Sequence, residues 1–164
     1  MFLPVGAEAQ TPVWELSGGY AYLNDPPDAT SFTAGWAVGA AIGLTRWSSA
    51  VVEGSYDWKT ISEIHLNTSA VMAGARAFTG LGPFTEFAQI EAGAARAGSS
   101  VFGLKSSSTA FALQAGAGID YPIAQPFAAR FQVDYRLVPH LATDLNSQHF
   151  VRVLVALVYI HGAR

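Results

Sequence analysis

The stretch "PFAARFQVDYRLVP" (126–139) constrains the fold more than any other part of the chain. From Phe127 to Leu137 every odd position is apolar or aromatic: Phe127, Ala129, Phe131, Val133, Tyr135 and Leu137. The even positions from Arg130 onward are Arg130, Gln132, Asp134 and Arg136. A repeat of two is that of a strand with one greasy face and one charged face. A water-soluble sheet turns the greasy face inward. A membrane barrel turns it to lipid and takes the charges inside.

Seven further segments read as strands: 13–23, 32–44, 49–59, 65–78, 84–98, 108–121 and 149–160. At roughly 10 to 14 residues they exceed the usual strand and suit tilted membrane crossings. The connections alternate in length. "TRW", "TGLGP" and "PIAQP" are short turns, whereas "NDPPDATS", "TISEI", "SSVFGLKSS" and "PHLATDLNSQ" read as longer loops. Short turns at one end and longer loops at the other, around an even number of strands, is the membrane-barrel arrangement. The expected fold is therefore all-β, an eight-stranded antiparallel up-and-down transmembrane β-barrel.

Charges recur on the face opposite the aromatics. Glu15, Glu53, Asp57, Glu91, Asp120 and Asp134 are available against Arg76, Arg130, Arg136 and Arg152, with Gln114 and Gln132 on the same face. Buried charges persist only when paired and hydrogen-bonded, so pairing inside a narrow barrel should be near complete. Gly19, Gly39, Gly43, Gly74, Gly93, Gly116 and Gly118 share that face and would leave room for the long side chains. Threading the strands up and down places Trp14, Trp47, Phe84, Tyr121, Phe127 and Tyr159 near one rim. Tyr22, Trp36, Trp58, Phe111 and Tyr135 fall near the other. Two aromatic girdles around an apolar band are what a lipid-facing surface requires. The fifth segment breaks the pattern, with Glu86 on the outer parity and Phe87 on the inner. A bulge, or a start nearer Phe87, would repair this. Phe78 also falls on the inner parity.

Only 13% of residues are charged, the net charge is −3, and no basic cluster exists, which argues against nucleic acid as a partner. There is no Cys, hence no disulfide and no thiolate chemistry. No apolar run reaches the roughly 20 residues of a helical span. At the N-terminus, Ala7-Glu8-Ala9 before Gln10 resembles a secretory cleavage site. This divides the chain into a signal-peptide remnant at 1–9 and a barrel domain at 10–164.

Taken together, "ELSGGYAYL", "GWAVGAAIGLTRWSSAVVEGSYDW", "VMAGARAF" running into "GLGPFTEFAQIEAGAARAG", and "ALQAGAGIDYPIAQPFAARFQVDYRLV" resemble the bacterial outer-membrane β-barrel family, the eight-stranded, porin-like small kind. The resemblance runs from about Val13 to Ile160 and leaves no peptidoglycan-binding domain. It implies location in the outer membrane of a Gram-negative envelope, insertion by the outer-membrane assembly machinery, outward-facing loops and a monomer in outer-membrane lipid. Family members usually end in an aromatic residue. Here Val155, Leu157 and Tyr159 have the expected spacing, but "IHGAR" closes the chain.

The family shares no catalytic residues, and the chain has no "GxSxG" elbow. No catalytic, cofactor-binding or metal site is assigned. His140 and His149 flank the last loop with Asp144 between them, and loop polarity accounts for them as well as metal binding does. The expected function is a structural, envelope or adhesive role carried by the outward loops, with the bore plugged by charged side chains. An eight-stranded bore is only about wide enough for side chains. Two alternatives stand beside this reading: a narrow outer-membrane channel, and a soluble lipocalin-like barrel holding a small apolar ligand.

Overall fold

The computed structural model describes residues 13–25, 30–32, 34–61, 64–101, 104–139 and 147–162. Nine strands follow one another: β1 (Trp14–Asp25), β2 (Thr30–Phe32), β3 (Ala34–Thr45), β4 (Ser48–Ile61), β5 (Ile64–Leu81), β6 (Phe84–Val101), β7 (Leu104–Ala124), β8 (Phe127–Val138) and β9 (Gln148–His161). Every pairing is antiparallel, and β9 pairs back onto β1, which closes the sheet. β2 and β3 lie along the same side of β1 with a one-residue change of register between them, so the wall has eight staves. The fold is an all-β, eight-stranded antiparallel closed barrel.

The register sets the barrel's dimensions. From Trp14 the cross-strand partners run Ile42, Ala50, Ala75, Ile90, Ala115, Tyr135 and Val151, then return to β1 at Asn24, ten residues above the start. With strands about 4.8 Å apart and about 3.3 Å per residue, a stagger of this size tilts the strands by roughly 40°. Each residue then climbs about 2.5 Å along the axis.

The side chains are sorted as a membrane-crossing barrel requires. On β8 the inward residues Ala128, Arg130, Gln132, Asp134, Arg136 and Val138 are buried, while Phe131, Val133 and Tyr135 are exposed. Other exposed large apolar residues include Leu16, Trp36, Val52, Val71, Ile90, Phe111, Ile119, Val155 and Leu157. A soluble ligand-binding barrel has the opposite sorting, with apolar side chains inside and charges outside. At the turn end, Trp14 and Phe127 both pack on Tyr159, and Phe84 packs on Tyr121. At the loop end, Trp36, Tyr56 and Trp58 form a row. The two girdles lie roughly 20–25 Å apart on the stagger and tilt above, close to the apolar band of about 25 Å that membrane barrels carry.

The turns at the lower rim are two residues each. At Arg46-Trp47 the Thr45 hydroxyl accepts from the Trp47 amide at 3.2 Å and meets the Ser48 hydroxyl at 2.7 Å. The next turn is Gly82-Pro83, where Gly82 adopts φ 61°, a backbone angle that glycine takes without strain. "TGLGP" and "PIAQP" are thus mostly strand, which continues to Leu81 and Ala124. The upper end departs further from expectation. "TISEI" and "SSVFGLKSS" read as loops in the sequence, yet β4 and β5 pair up to Ile61 and Ile64, and β6 and β7 pair up to Val101 and Leu104. Polar Ser and Thr residues match loop composition, but here they line hairpins that rise beyond the upper girdle. Part of "NDPPDATS" is strand as well, through Asp25 and from Thr30. The 1–9 segment, His140 and Asp144 lie outside the described residues.

Val133 sits on the outer wall halfway between the girdles. Val133→Arg should destabilise the inserted barrel by about 2–4 kcal/mol, while Val133→Leu should be near neutral. Reversible urea unfolding in lipid vesicles reads the difference, and an Arg variant as stable as its parent would contradict the sorting.

Candidate functional site

The interior is the chemically dense part of the molecule. Strand alternation turns every second side chain inward, and the closed wall aims them at a common axis. Glu15, Glu53, Asp57, Arg76, Glu91, Gln114, Asp120, Arg130, Gln132, Asp134, Arg136 and Arg152 are all buried. Every residue that the sequence placed on the inner charged face is there.

The lower part is built on Arg130. Its Nε donates to Asp120 Oδ1 and its Nη2 to Asp120 Oδ2, both at 2.7 Å, a bidentate fork between adjacent strands. Arg130 Nη2 also reaches Glu15 Oε1 at 3.1 Å across the bore, and Arg76 Nη1 meets the same Glu15 oxygen. Arg76 donates from Nε and Nη2 to Gln89 Oε1, at 3.0 and 2.9 Å. The guanidiniums of Arg76 and Arg130 stand over the Phe87 ring, 4.5 and 4.7 Å from its centroid. This explains the misfit in the sequence pattern. There is no bulge, because β6 keeps continuous register with β5 and β7 from Thr85 onward. Phe87 points inward as a platform for two cations, and Glu86 stays on the exposed face. The ring is accommodated by Gly118, whose absent Cβ would lie 2.5 Å from Phe87 Cζ.

The middle part is built on Arg152. Its Nη2 meets Asp134 Oδ2 at 2.6 Å and its Nη1 meets Glu53 Oε1 at 2.6 Å. Gln132 donates to both Asp134 oxygens at 3.0 Å. Gly116 makes space for that carboxylate, since a Cβ there would collide with Asp134 Oδ1. Gln114 bridges upward and sideways: its Nε2 donates to Glu91 Oε2 at 2.8 Å and to Glu53 Oε1 at 3.4 Å. Its Oε1 accepts from Arg136 Nε at 2.9 Å, and Arg136 Nη2 donates to Ser55 Oγ at 3.2 Å. The glycines do not all serve side chains. At Gly74 a Cβ would collide with the Ile90 carbonyl on β6, so that glycine lets two backbones approach closely.

Toward the loop end an apolar cluster of Leu23, Ala70, Met72, Ala95, Ala112, Val138 and Phe150 packs alongside the upper charges. The alternation pattern contained these residues, but the register was needed to show Leu23 beside Arg152, Met72 beside Glu53 and Phe150 beside Arg136. Ion pairing is less complete than the sequence suggests. Arg136 has hydrogen bonds but no carboxylate within ion-pair distance among the described residues, and neither Asp57 oxygen has a hydrogen-bond partner. Arg130 and Arg152 each pair with two acids, and among the described residues Asp57 and Glu91 are in no ion pair. Among the described residues no three His, Cys, Asp or Glu side chains converge to hold a metal. His149 instead lies 2.5 Å through Nδ1 from the Tyr135 hydroxyl on the outer rim.

No family model and no curated protein matches the chain. Solved structures match over nearly its full length. The barrel is similar to neisserial surface protein A (NspA) at 13% identity, with 90% of this chain and 96% of that one covered and a TM-score of 0.71. It is similar to Ail, the attachment invasion locus protein of Yersinia pestis, solved with the heparin analogue sucrose octasulfate, at 15% identity, 93% and 100% coverage and a TM-score of 0.65. OprG, an outer-membrane protein of Pseudomonas aeruginosa, aligns at 9% identity, 94% and 98% coverage and a TM-score of 0.63. At these identities the likeness shows the fold.

Arg130→Ala should cost about 3–5 kcal/mol of folding stability, because it strands the buried Asp120 carboxylate. Arg46→Ala in the exposed turn should stay within about 0.5 kcal/mol. Urea midpoints in vesicles compare the two, and equal effects would contradict a paired interior.

Proposed function

We propose that this chain is a small outer-membrane barrel of a Gram-negative envelope whose work is recognition or adhesion at the cell surface, without catalysis. The carrying observation is the combination of a filled bore with tall hairpins. The interior is occupied by ion pairs with an apolar cluster beside them toward the loops, and an eight-stranded bore is only about wide enough for side chains. The hairpins β4–β5 and β6–β7 continue beyond the upper girdle as paired sheet. Their outward positions include Ser69, Arg96, Ser107 and Thr109, with Arg96 Nη2 donating to Ser107 Oγ at 2.9 Å. A stiff, hydroxyl-rich sheet raised above a membrane offers a partner a preformed surface at little entropic cost. Similarity to a neisserial surface protein and to an attachment protein of Yersinia pestis supports the same reading.

The lower turns then face the periplasm, outer-membrane lipid surrounds the apolar band as a monomer's belt, and the assembly machinery inserts the chain. The barrel domain follows the cleavage motif Ala7-Glu8-Ala9. A narrow channel is the second reading, favoured only by the polar character of the column.

The absence of native Cys makes orientation directly measurable. On intact cells a membrane-impermeant maleimide should label Ser107→Cys and not Arg46→Cys until the outer membrane is opened. The reverse pattern would overturn the orientation. For the role itself, cells displaying the barrel should adhere to a host-cell layer. Shortening the β6–β7 hairpin to the level of Arg96 should abolish adhesion while detergent-resistant folding persists. Unchanged adhesion would refute a function in the hairpins.

A further inference from the structure

The tall hairpins leave a sheet edge open. β7 pairs with β6 in continuous register from Asp120, opposite Thr85, up to Leu104, opposite Val101. On its other side β7 meets β8 only from Leu113 downward, where Leu137 is the partner. β8 ends at Val138, and Pro139 has no amide to carry the ladder on. Among the described residues, no strand therefore pairs with 104–112 on that side. Phe111 stands at the upper girdle, and position 105 lies about 15 Å above it on the stagger and tilt given above.

Alternation identifies the main-chain groups at this edge. The Phe78 amide donates to the Trp47 carbonyl at 3.0 Å, so even positions of β5 face the β4 side and odd positions face β6. Odd positions of β5 pair with even positions of β6, which leaves the odd positions of β6 for β7. Their partners on β7 are even. The amides and carbonyls of Lys105, Ser107 and Thr109 are thus directed to the open side. Proteins commonly guard such an edge with proline, a bulge or clustered charge. Residues 104–112 hold no proline, one lysine and no break in register against β6. From 95 to 112 the only charged residues are Arg96, which is exposed, and Lys105.

We propose that the open edge at 104–112 receives an extended segment of a partner polypeptide as an added β-strand, one that carries acidic residues at alternate positions. The proposal rests on the recognition role argued above and names the chemistry of the partner. A row of amides and carbonyls at ladder spacing is matched by another extended backbone, which supplies affinity, while alternate side chains supply specificity. Acids on one face of the added strand complement a hairpin whose charges are all cationic between 95 and 112. The edge stands above the apolar band, so the incoming strand does not have to displace lipid.

The probe is a synthetic peptide as long as the open edge, alternating threonine and glutamate, added to the full chain in lipid nanodiscs. Without peptide, the amides of 105, 107 and 109 should exchange with solvent faster than those of 106 and 108. Peptide should remove that difference by slowing the odd set. N-methylating alternate peptide amides along one edge should abolish the protection, and along the other edge should preserve it. Uniformly slow exchange before peptide is added would mean that the chain covers its own edge, and would overturn the proposal. Absence of protection, or protection that survives both methylated peptides, would do the same. Ser107→Pro removes an open-side donor and spares the β6 ladder, so it should lose peptide binding, while Ser107→Thr should keep it. If the proline variant fails to fold, the methylated pair decides on the unaltered barrel. On cells, adhesion lost on shortening the β6–β7 hairpin but kept in Ser107→Pro overturns the edge alone. Adhesion unchanged by shortening overturns the recognition role beneath it.

Discussion

The constraint on which the structure rests is the cost of an uncompensated charge inside a closed wall. Once β9 pairs with β1, the inward polar side chains are buried, and each guanidinium must find its acceptors, carboxylate or neutral, within the bore. The observed partners span the chain: Arg130 joins Asp120 on the neighbouring strand and Glu15 on β1, while Arg152 joins Asp134 and Glu53. These contacts form only at one register. A slip by one residue on any strand would send its charges into lipid and its aliphatic residues into the bore. The polar column therefore specifies the barrel as much as it fills it.

The outside obeys a different economy. Between the girdles only small and aliphatic residues are needed, and no shape-matched packing is required against fluid lipid. That freedom lets the outer face of β5 and β6 run Ala73, Ala75, Ala77, Ala88, Ile90, Ala92 and Ala94. Above the upper girdle the demands change again. Ser and Thr replace alanine, but the backbone ladder continues, so the wall becomes a freestanding polar sheet. Height along one strand thus marks three environments: the turn-end rim, the apolar band and the polar hairpin surface.

Much of this was legible in the sequence because period-two alternation is a direct projection of the wall's two faces. The inward charged set from Glu15 to Arg152 and the rim positions of Trp14, Phe84, Tyr121, Trp36 and Trp58 follow from parity and strand order alone. What parity does not carry is register. It left open which acid each arginine meets, and it made Phe87 look like a defect when the ring is a seat for Arg76 and Arg130. Loop length was misjudged for a related reason. "TISEI" and "SSVFGLKSS" have loop composition, and only the cross-strand partners Ile61–Ile64 and Val101–Leu104 show that the ladder persists through them. Inner-face parity suggests that the glycines make room for long side chains, whereas Gly74 serves a neighbouring backbone.

The inverted sorting of side chains is the claim from which the others descend, and spin labels along β8 test it most directly. Single cysteines from Phe131 to Arg136, labelled in lipid vesicles, should alternate. Labels at 131, 133 and 135 should be relaxed by oxygen dissolved in the bilayer. Labels at 132, 134 and 136 should be immobile and shielded from both oxygen and a water-soluble nickel chelate. A water-exposed label at 133 together with a lipid-exposed label at 132 would contradict the barrel described.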